Sequence, residues 1–252
     1  GRLLGSPAKQ LDAVYAELKR SINQELDYRT EQQSVQRFHD HFAYWSHLQI
    51  PTAIEHLCRP GVLVMQEVPG RSMSEVEEAP EDVRQKLALT LCKWFLEQSF
   101  ELGLLHADPH PGNLAWTDDG DLVVYDFGSV LEVDPSLLDA YLKLVEALRG
   151  PHSAALEPAF QALGGRRRGS SPPFELYERI HRIMHPLLQP GAIWDFRASA
   201  LHQQLLAIFP QVMAALGSLQ PASGTLLVNR TLEGHYWNLY RLGASLPIAD
   251  LL

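Results

Sequence analysis

Leu11, Val14, Tyr15, Leu18, Ile22 and Leu26 fall near helical spacing, so residues 8–44 read as one helical region, broken or continuous. Val62-Leu63-Val64-Met65-Gln66-Glu67-Val68 is rich in β-formers and is stopped by Pro69-Gly70, which predicts a strand. Glu75 to Asp82 is acidic and reads as a solvated turn leading into a helix over about 81–102. That helix carries Val83, Leu87, Leu91, Trp94, Phe95, Leu96 and Phe100 on most of its sides, the mark of a buried helix. Asp119-Gly120, between two apolar runs, predicts a two-residue hairpin turn. Further helices are predicted at about 134–149, starting at Asp134-Pro135, and at 174–188, 194–218 and 224–243. A loop over 164–173 carries Arg166, Arg167 and Arg168, which read as a solvated run that could also touch anionic headgroups. No repeat period is present, and the expected fold class is mostly α with a small β-hairpin and one further strand.

The chemistry concentrates around that hairpin. His106-Ala107-Asp108-Pro109-His110-Pro111-Gly112-Asn113 comes first, and Asp126-Phe127-Gly128 follows. Asn113 lies five positions after Asp108, and Asp126 thirteen after Asn113. A kinase-type phosphate site needs this order: a carboxylate for the substrate hydroxyl, then an amide and a carboxylate for magnesium. A two-residue turn at Asp119-Gly120 would set Asn113 directly opposite Asp126, about 4.5–5.5 Å apart. Pro109 and Pro111 fix φ and lack N–H groups, so the preceding helix stops near Gly103 and Asp108 sits on a stiff loop. His106, Asp108 and His110 could instead be zinc ligands, but alternate residues in a Pro-rich loop point different ways and no third ligand cluster accompanies them.

Composition adds limits. The chain has 252 residues, 46% of them hydrophobic, enough for a sizeable core. The net charge of -9 argues against a nucleic-acid surface. Cys58 and Cys92 show no disulfide or metal pattern, which points to an intracellular protein with two core cysteines. No apolar run reaches the length of a membrane span. A chain that starts at Gly1 and not at Met reads as part of a longer one.

The stretch Leu105–Leu114 with Tyr125-Asp126-Phe127-Gly128 resembles the UbiB/AarF/ADCK atypical kinase-like family of ubiquinone biosynthesis. Ala107 matches the alanine which that family shows where ordinary kinases have arginine. Gln24-Glu25-Leu26-Asp27-Tyr28-Arg29-Thr30-Glu31 is similar to its Glu-x-Asp segment, and Val62–Gly70 to its strand and hinge. Asn229–Gly234 and Arg241–Ala244 are similar to its last helix. The resemblance covers nearly the whole chain. It implies a protein-kinase-like C-lobe with the N-lobe largely absent. Residues 1–68 would be the end of the N-lobe with the Glu-x-Asp helix and hinge strand, and 69–252 the helical C-lobe.

The resemblance also implies roles. Asp108 is the catalytic-loop aspartate, supported by His106; Asn113 and Asp126 hold Mg²⁺; Gln66 and Val68 offer backbone groups to the adenine of ATP. Glu31 is the helix glutamate that pairs with a nucleotide-binding lysine, and Glu25 and Asp27 contact an N-terminal extension over the active site. The implied partners are ATP, an isoprenoid lipid or quinone precursor, biosynthetic-complex proteins and a membrane surface touched peripherally. The compartment would be the bacterial cytoplasm at the membrane, or a mitochondrion or plastid in a eukaryote. The chain departs from the family in lacking the Lys-x-Gly-Gln extension, the alanine-rich phosphate loop and the strand lysine. Its lysines are Lys9, Lys19, Lys86, Lys93 and Lys143, none in a valine-rich strand before Glu31. This chain alone is therefore expected to bind Mg·ATP weakly or not at all. Two rival readings stay open: a small-molecule phosphotransferase of the aminoglycoside or choline kinase type, and a non-catalytic module that binds lipid or a partner.

Overall fold

The computed structural model describes residues 28–220, 222 and 224–252. Glu25, Asp27 and the first part of the predicted 8–44 helix lie outside them. Helix α1 (Tyr28–Phe42) buries Val35, Phe38 and Phe42, one stripe at helical spacing. Phe38 meets Phe127 at 5.0 Å between ring centroids and Trp94 at 6.4 Å. Helix α2 (Glu81–Phe100) runs through the centre with Leu87, Leu91 and Trp94 fully buried, as its apolar sides require. The fold is mostly helical, with small sheets.

A four-stranded sheet lies against these helices in the order β1 (Leu48–Gln49), β5 (Leu122–Val124), β4 (Leu114–Trp116), β2 (Arg71–Ser72). The β4–β5 hairpin exists, but its register differs from the expectation: Leu114 pairs with Val124 and Trp116 with Leu122. Tyr125, not Asp126, is therefore opposite Asn113, and its N–H donates to the Asn113 carbonyl at 3.0 Å. The cause is the turn. A two-residue type I′ turn needs positive φ at both central positions. Here Gly120 alone takes it, at φ 78°, and the Gly120 N–H donates to Thr117 C=O at 2.9 Å. The loop is thus three residues, 118–120. Asp121, tied to Lys86 at 3.1 Å and to Gln49 at 3.1 Å, anchors the returning strand in that register.

The strand expected at 62–68 is extended but forms no ladder. Among the described residues it is met only by isolated bridges, Arg59 to Val62 and Ala53 to Met65. Its partner is the adjacent segment, through Ile54 N–H to Val64 C=O and Gln66 N–H to Thr52 C=O, both 2.8 Å. Strand β3 (Leu104–His106) pairs with β6 (Val130–Glu132) on the other side of the hairpin.

Helix α3 (Pro135–Arg149) begins where the sequence placed it, with Ser136 N–H donating to the Asp134 carboxylate at 2.8 Å. Helices α4 (Leu156–Ala162) and α5 (Phe174–Met184) follow. The single helix expected at 194–218 is instead a strand, β7 (Trp194–Asp195), and two short helices, α6 (Leu201–Ala207) and α7 (Phe209–Ala214). Pro210 lacks an N–H, so α6 stops before it and α7 takes it into its first turn. Helix α8 (Thr225–Leu242) ends on Gly243 at φ 63°, with the Ala244 N–H reaching back to Leu239 C=O at 3.0 Å. Strand β8 (Ser245–Leu246) pairs with β7, and α9 (Ile248–Leu251) closes the chain. No helix among the described residues is long and apolar enough to cross a membrane.

The Arg166–Arg168 run is not the solvated loop that the sequence suggested. Arg166 is buried, with its Nε 2.8 Å from Glu157 Oε2 and further bonds to the Ser218 and Ser170 carbonyls. Arg167 is held to Leu219 C=O at 2.7 Å, which leaves Arg168 as the freer cation. The three arginines therefore do not form one headgroup-binding patch. Burial alone would raise the Glu157 carboxyl, but hydrogen bonds from Tyr177, Arg166 and Gln161 outweigh it and hold it below its ordinary value. Arg166→Ala leaves that carboxylate without its cation and should cost about 3 kcal/mol in urea unfolding; a loss under about 0.5 kcal/mol, the range of ordinary surface substitutions, would show the pair to be incidental.

Candidate functional site

The site is assembled where β3, the β4–β5 hairpin and α1 meet. Its loop starts at His106, which is fully buried. The His106 backbone N–H donates to Gln98 Oε1 at 2.7 Å. Its Nε2 meets the Asp126 carbonyl. A carbonyl only accepts, so Nε2 carries a proton. The ring also contacts Trp94 at 5.4 Å and Phe127 at 5.3 Å. Burial pushes the His106 imidazole below its ordinary range, against the pull of the Asp126 carbonyl and the Asp126 and Asp108 charges.

Two residues on, Asp108 leaves the core. A 3₁₀ turn at Pro111–Asn113, capped by the His110 ring accepting from Gly112 N–H at 3.0 Å, folds Asn113 back toward it. Asn113 Nδ2 donates to Asp108 Oδ2 at 2.9 Å and to the Asp108 carbonyl at 3.2 Å. An amide whose nitrogen faces the carboxylate leaves its Oδ1 as an acceptor on the other side. Asp126 is exposed, and its Oδ1 takes the Gly128 N–H at 2.8 Å.

Glu31 reaches the same place from α1. A Cβ at Gly128 would stand 3.5 Å from Glu31 Oε2 and 3.2 Å from Asp126 Oδ1, so the two carboxylates flank one glycine. Burial first, then the Asp126 charge, raises the Glu31 carboxyl; a backbone hydrogen bond from Phe127 opposes them. His106, Asp108, Asn113, Asp126 and Glu31 therefore form one neighbourhood. Gln66 and Val68 stand on the extended segment beyond Tyr125, whose hydroxyl donates to Val68 C=O at 2.8 Å. The Gln66 N–H goes to Thr52, and among the described residues nothing engages the Gln66 C=O or the Val68 N–H. No group of three or more His, Cys, Asp or Glu among the described residues could hold a metal, which disfavours the zinc alternative.

The ABC1 atypical kinase-like domain matches this chain over residues 3–156. The chain belongs to that family. A chloroplastic relative from Arabidopsis thaliana, ACTIVITY OF BC1 COMPLEX KINASE 8, is 30% identical over 155 residues, covering 60% of this chain and 20% of that protein. An uncharacterized chloroplastic aarF domain-containing protein kinase of the same plant is 32% identical over 154 residues, or 61% of this chain and 21% of the relative. The chain thus spans about a fifth of these relatives' own length. A solved structure described as an erythromycin complex from Mycobacterium tuberculosis superposes with a TM-score of 0.77 at 22% identity, covering 98% of this chain and 62% of that one. This likeness shows a kinase-like fold.

In this ABC1-family chain the loop is also seated by residues to which the sequence gave no role in the site. Asn238 on α8 donates to Pro109 C=O at 2.7 Å from a buried position. Gly234, one turn earlier, lies so close to Pro109 that a Cβ there would overlap the proline ring. Gln98, buried on α2, takes the His106 N–H. Each is a polar or small residue on an apolar helix, and Gly234 with Asn238 at i, i+4 marks one contact face. That spacing was the available signal.

Two buried imidazoles give the fold a pH signature. Burial lowers His106 from the ordinary 6.5 and lowers His235 on α8 to about 3. Below pH 6.5 the unfolded chain takes up protons that the folded chain refuses, so stability falls as pH falls. His235 alone should remove about 2 kcal/mol between pH 7 and pH 5. Urea unfolding at the two pH values should show this fall, and a smaller one in His235→Phe. Equal falls in both proteins would place the protonation elsewhere.

Proposed function

We propose that the intact protein catalyses Mg-ATP-dependent phosphoryl transfer or ATP hydrolysis at this site. The observation that carries the reading is the orientation of Asn113. Its amide nitrogen is committed to Asp108, which leaves Oδ1 as an oxygen donor in the same neighbourhood as Asp126. Gly128 N–H holds Asp126 Oδ1, and Oδ2 remains. An amide oxygen and a carboxylate are the hard donors that Mg²⁺ takes, with phosphate oxygens completing the shell. Asn113 and Asp126 would hold the ion, which when bound neutralises phosphate charge. Asp108, one oxygen on Asn113 and the other available, would orient a hydroxyl or water toward the γ-phosphate and accept its proton. Gln66 C=O and Val68 N–H would take the adenine edge.

In this reading residues 1–68 are the end of an N-lobe and 69–252 a C-lobe, with the phosphate-binding lysine and loop supplied from outside this chain. Lys86 does not serve, being held by Asp119 C=O at 2.7 Å and by Asp121. Glu25 and Asp27 would meet a covering extension. The finer role, support of isoprenoid quinone biosynthesis through lipid handling with peripheral membrane contact, rests on the resemblance in Leu105–Leu114 and Gln24–Glu31. The chloroplastic names of the plant relatives support a plastid location for a eukaryotic parent, and a bacterial parent would work in the cytoplasm at the membrane.

In the full-length protein, Asp126→Asn removes a charged metal ligand and should abolish Mg-dependent nucleotide binding and turnover. Asp108→Asn should keep binding and lower turnover by about 10²–10⁴-fold. Nucleotide titration and phosphate release measure both, and undiminished ATPase activity in Asp126→Asn would sink the mechanism.

A further inference from the structure

Helix α8 and the loop at Asp108 face each other across a groove of about 320 Å³, walled by Asp108, Pro109, Arg230, Glu233, Trp237 and Arg241. The volume suits a small molecule, since such sites span roughly 300–1,000 Å³. The α8 wall is one stripe: Trp237 follows Arg230 by two helical turns and Arg241 follows Trp237 by one. Pro109 meets the middle of that stripe, pressed by Gly234 and bonded to Asn238. Asp108, the residue beside it, therefore stands near the middle of the groove. Trp237 is 43% exposed and offers a flat face there.

Two cations of this groove lack an anion. Arg37, Arg71, Arg166, Arg179 and Arg197 each have a carboxylate within 4.0 Å. Among the described residues Arg230 and Arg241 have none, and neither side chain makes a hydrogen bond. The two are not equivalent. Glu233, one turn after Arg230, offsets its charge. No acidic residue of α8 lies within a turn of Arg241. Further cations gather at that end instead: a Cβ at Gly243 would stand 3.4 Å from Arg197 Cζ and 3.5 Å from Arg84 Nη1. Helical side chains lean toward the N-terminus of their helix, so Arg241 leans back toward Trp237 and the loop, while Arg230 leans away. An accessible, unpaired guanidinium is a fork for a carboxylate or a phosphate.

We propose that this groove is the acceptor subsite and takes a small hydroxylated anion, with its hydroxyl on Asp108, its carbon skeleton on Trp237 and its phosphate or carboxylate on Arg241. The acceptor oxygen bonds to the γ-phosphorus as the bond to the β–γ bridging oxygen breaks; ADP leaves, and the hydroxyl proton passes to Asp108. The acceptor role rests on the reading of Asp108 given above. Binding of the anion needs no nucleotide, so the two can fail separately.

Calorimetric titration of the full-length protein, without nucleotide, with glycerol 3-phosphate, glycerate and glycerol tests it. Both anions should bind saturably, and glycerol at least about tenfold more weakly, because it leaves Arg241 unmet. Arg241→Gln should weaken both anions at least about tenfold, and Arg230→Gln less than about threefold, the scale of an exposed charge. Vesicles of phosphatidylglycerol carry a glycerol phosphate as headgroup: displacement of glycerol 3-phosphate by them assigns the anion to a lipid, its persistence to a free molecule, and either result upholds the site. During ATP turnover, saturating glycerol 3-phosphate should take the place of water at Asp108, so release of inorganic phosphate should fall. Anions that bind no tighter than glycerol overturn the proposal. So does undiminished anion binding in Arg241→Gln, equal weakening by both arginine variants, or unchanged phosphate release under saturating glycerol 3-phosphate. Should Arg241→Gln not fold, as judged by circular dichroism, Arg241→Lys keeps the charge without the fork, and full anion affinity there overturns the proposal. A protein with no ATP turnover at all would count against the phosphate reading, and the titrations alone would then decide the anion site.

Discussion

His106 is the tie on which the site depends. It joins three parts of the chain that sequence keeps far apart: α2 through Gln98, the loop through its own backbone, and the strand end through the Asp126 carbonyl. Trp94 and Phe127 close around it, and Phe127 in turn carries Phe38 of α1. Burial both keeps the ring uncharged and strengthens its hydrogen bond in a low-dielectric surrounding. Because the bond ends on the carbonyl of Asp126, the carboxylate of that residue is left exposed while its backbone is fixed. A fixed backbone with a free acid is what a metal ligand needs.

The loop between His106 and Asn113 has a second support from α8. Pro109 is pressed by Gly234 and held by Asn238, so the residue beside Asp108 cannot shift without moving a helix. Positioning of this kind, more than any shifted acidity, is what a general base requires. His235, on the same helix, lines an apolar cavity of about 400 Å³ between α2, α3 and α8, so one helix touches both the phosphate site and that cavity.

Much of this was legible in the chain. The Asp134-Pro135 start of α3 and the all-round apolar α2 follow from local rules, and the structure agrees with them. The failures have physical causes. The hairpin turn was visible at Asp119-Gly120, but its length depends on which residues adopt positive φ and on Asp121 anchored by Lys86 and Gln49, so the register came out one residue off. Pro210 was in plain sight inside the expected 194–218 helix and should have divided it. Arg166 read as solvated because its partner Glu157 sits on another element. Gln98 and Asn238 were hidden because their partners are backbone groups far along the chain. Of the candidate residues, His106, Asp108, Asn113, Asp126 and Glu31 lie together, Gln66 and Val68 flank them, and Glu25 and Asp27 lie outside the described residues.

The most direct test is a crystal structure of the full-length protein with Mg²⁺ and a non-hydrolysable ATP analogue. The account predicts a metal about 2.0–2.1 Å from both Asn113 Oδ1 and an Asp126 carboxylate oxygen, with Asn113 Nδ2 still on Asp108. A nucleotide bound with its metal on other residues, Asn113 and Asp126 taking no part, would contradict it.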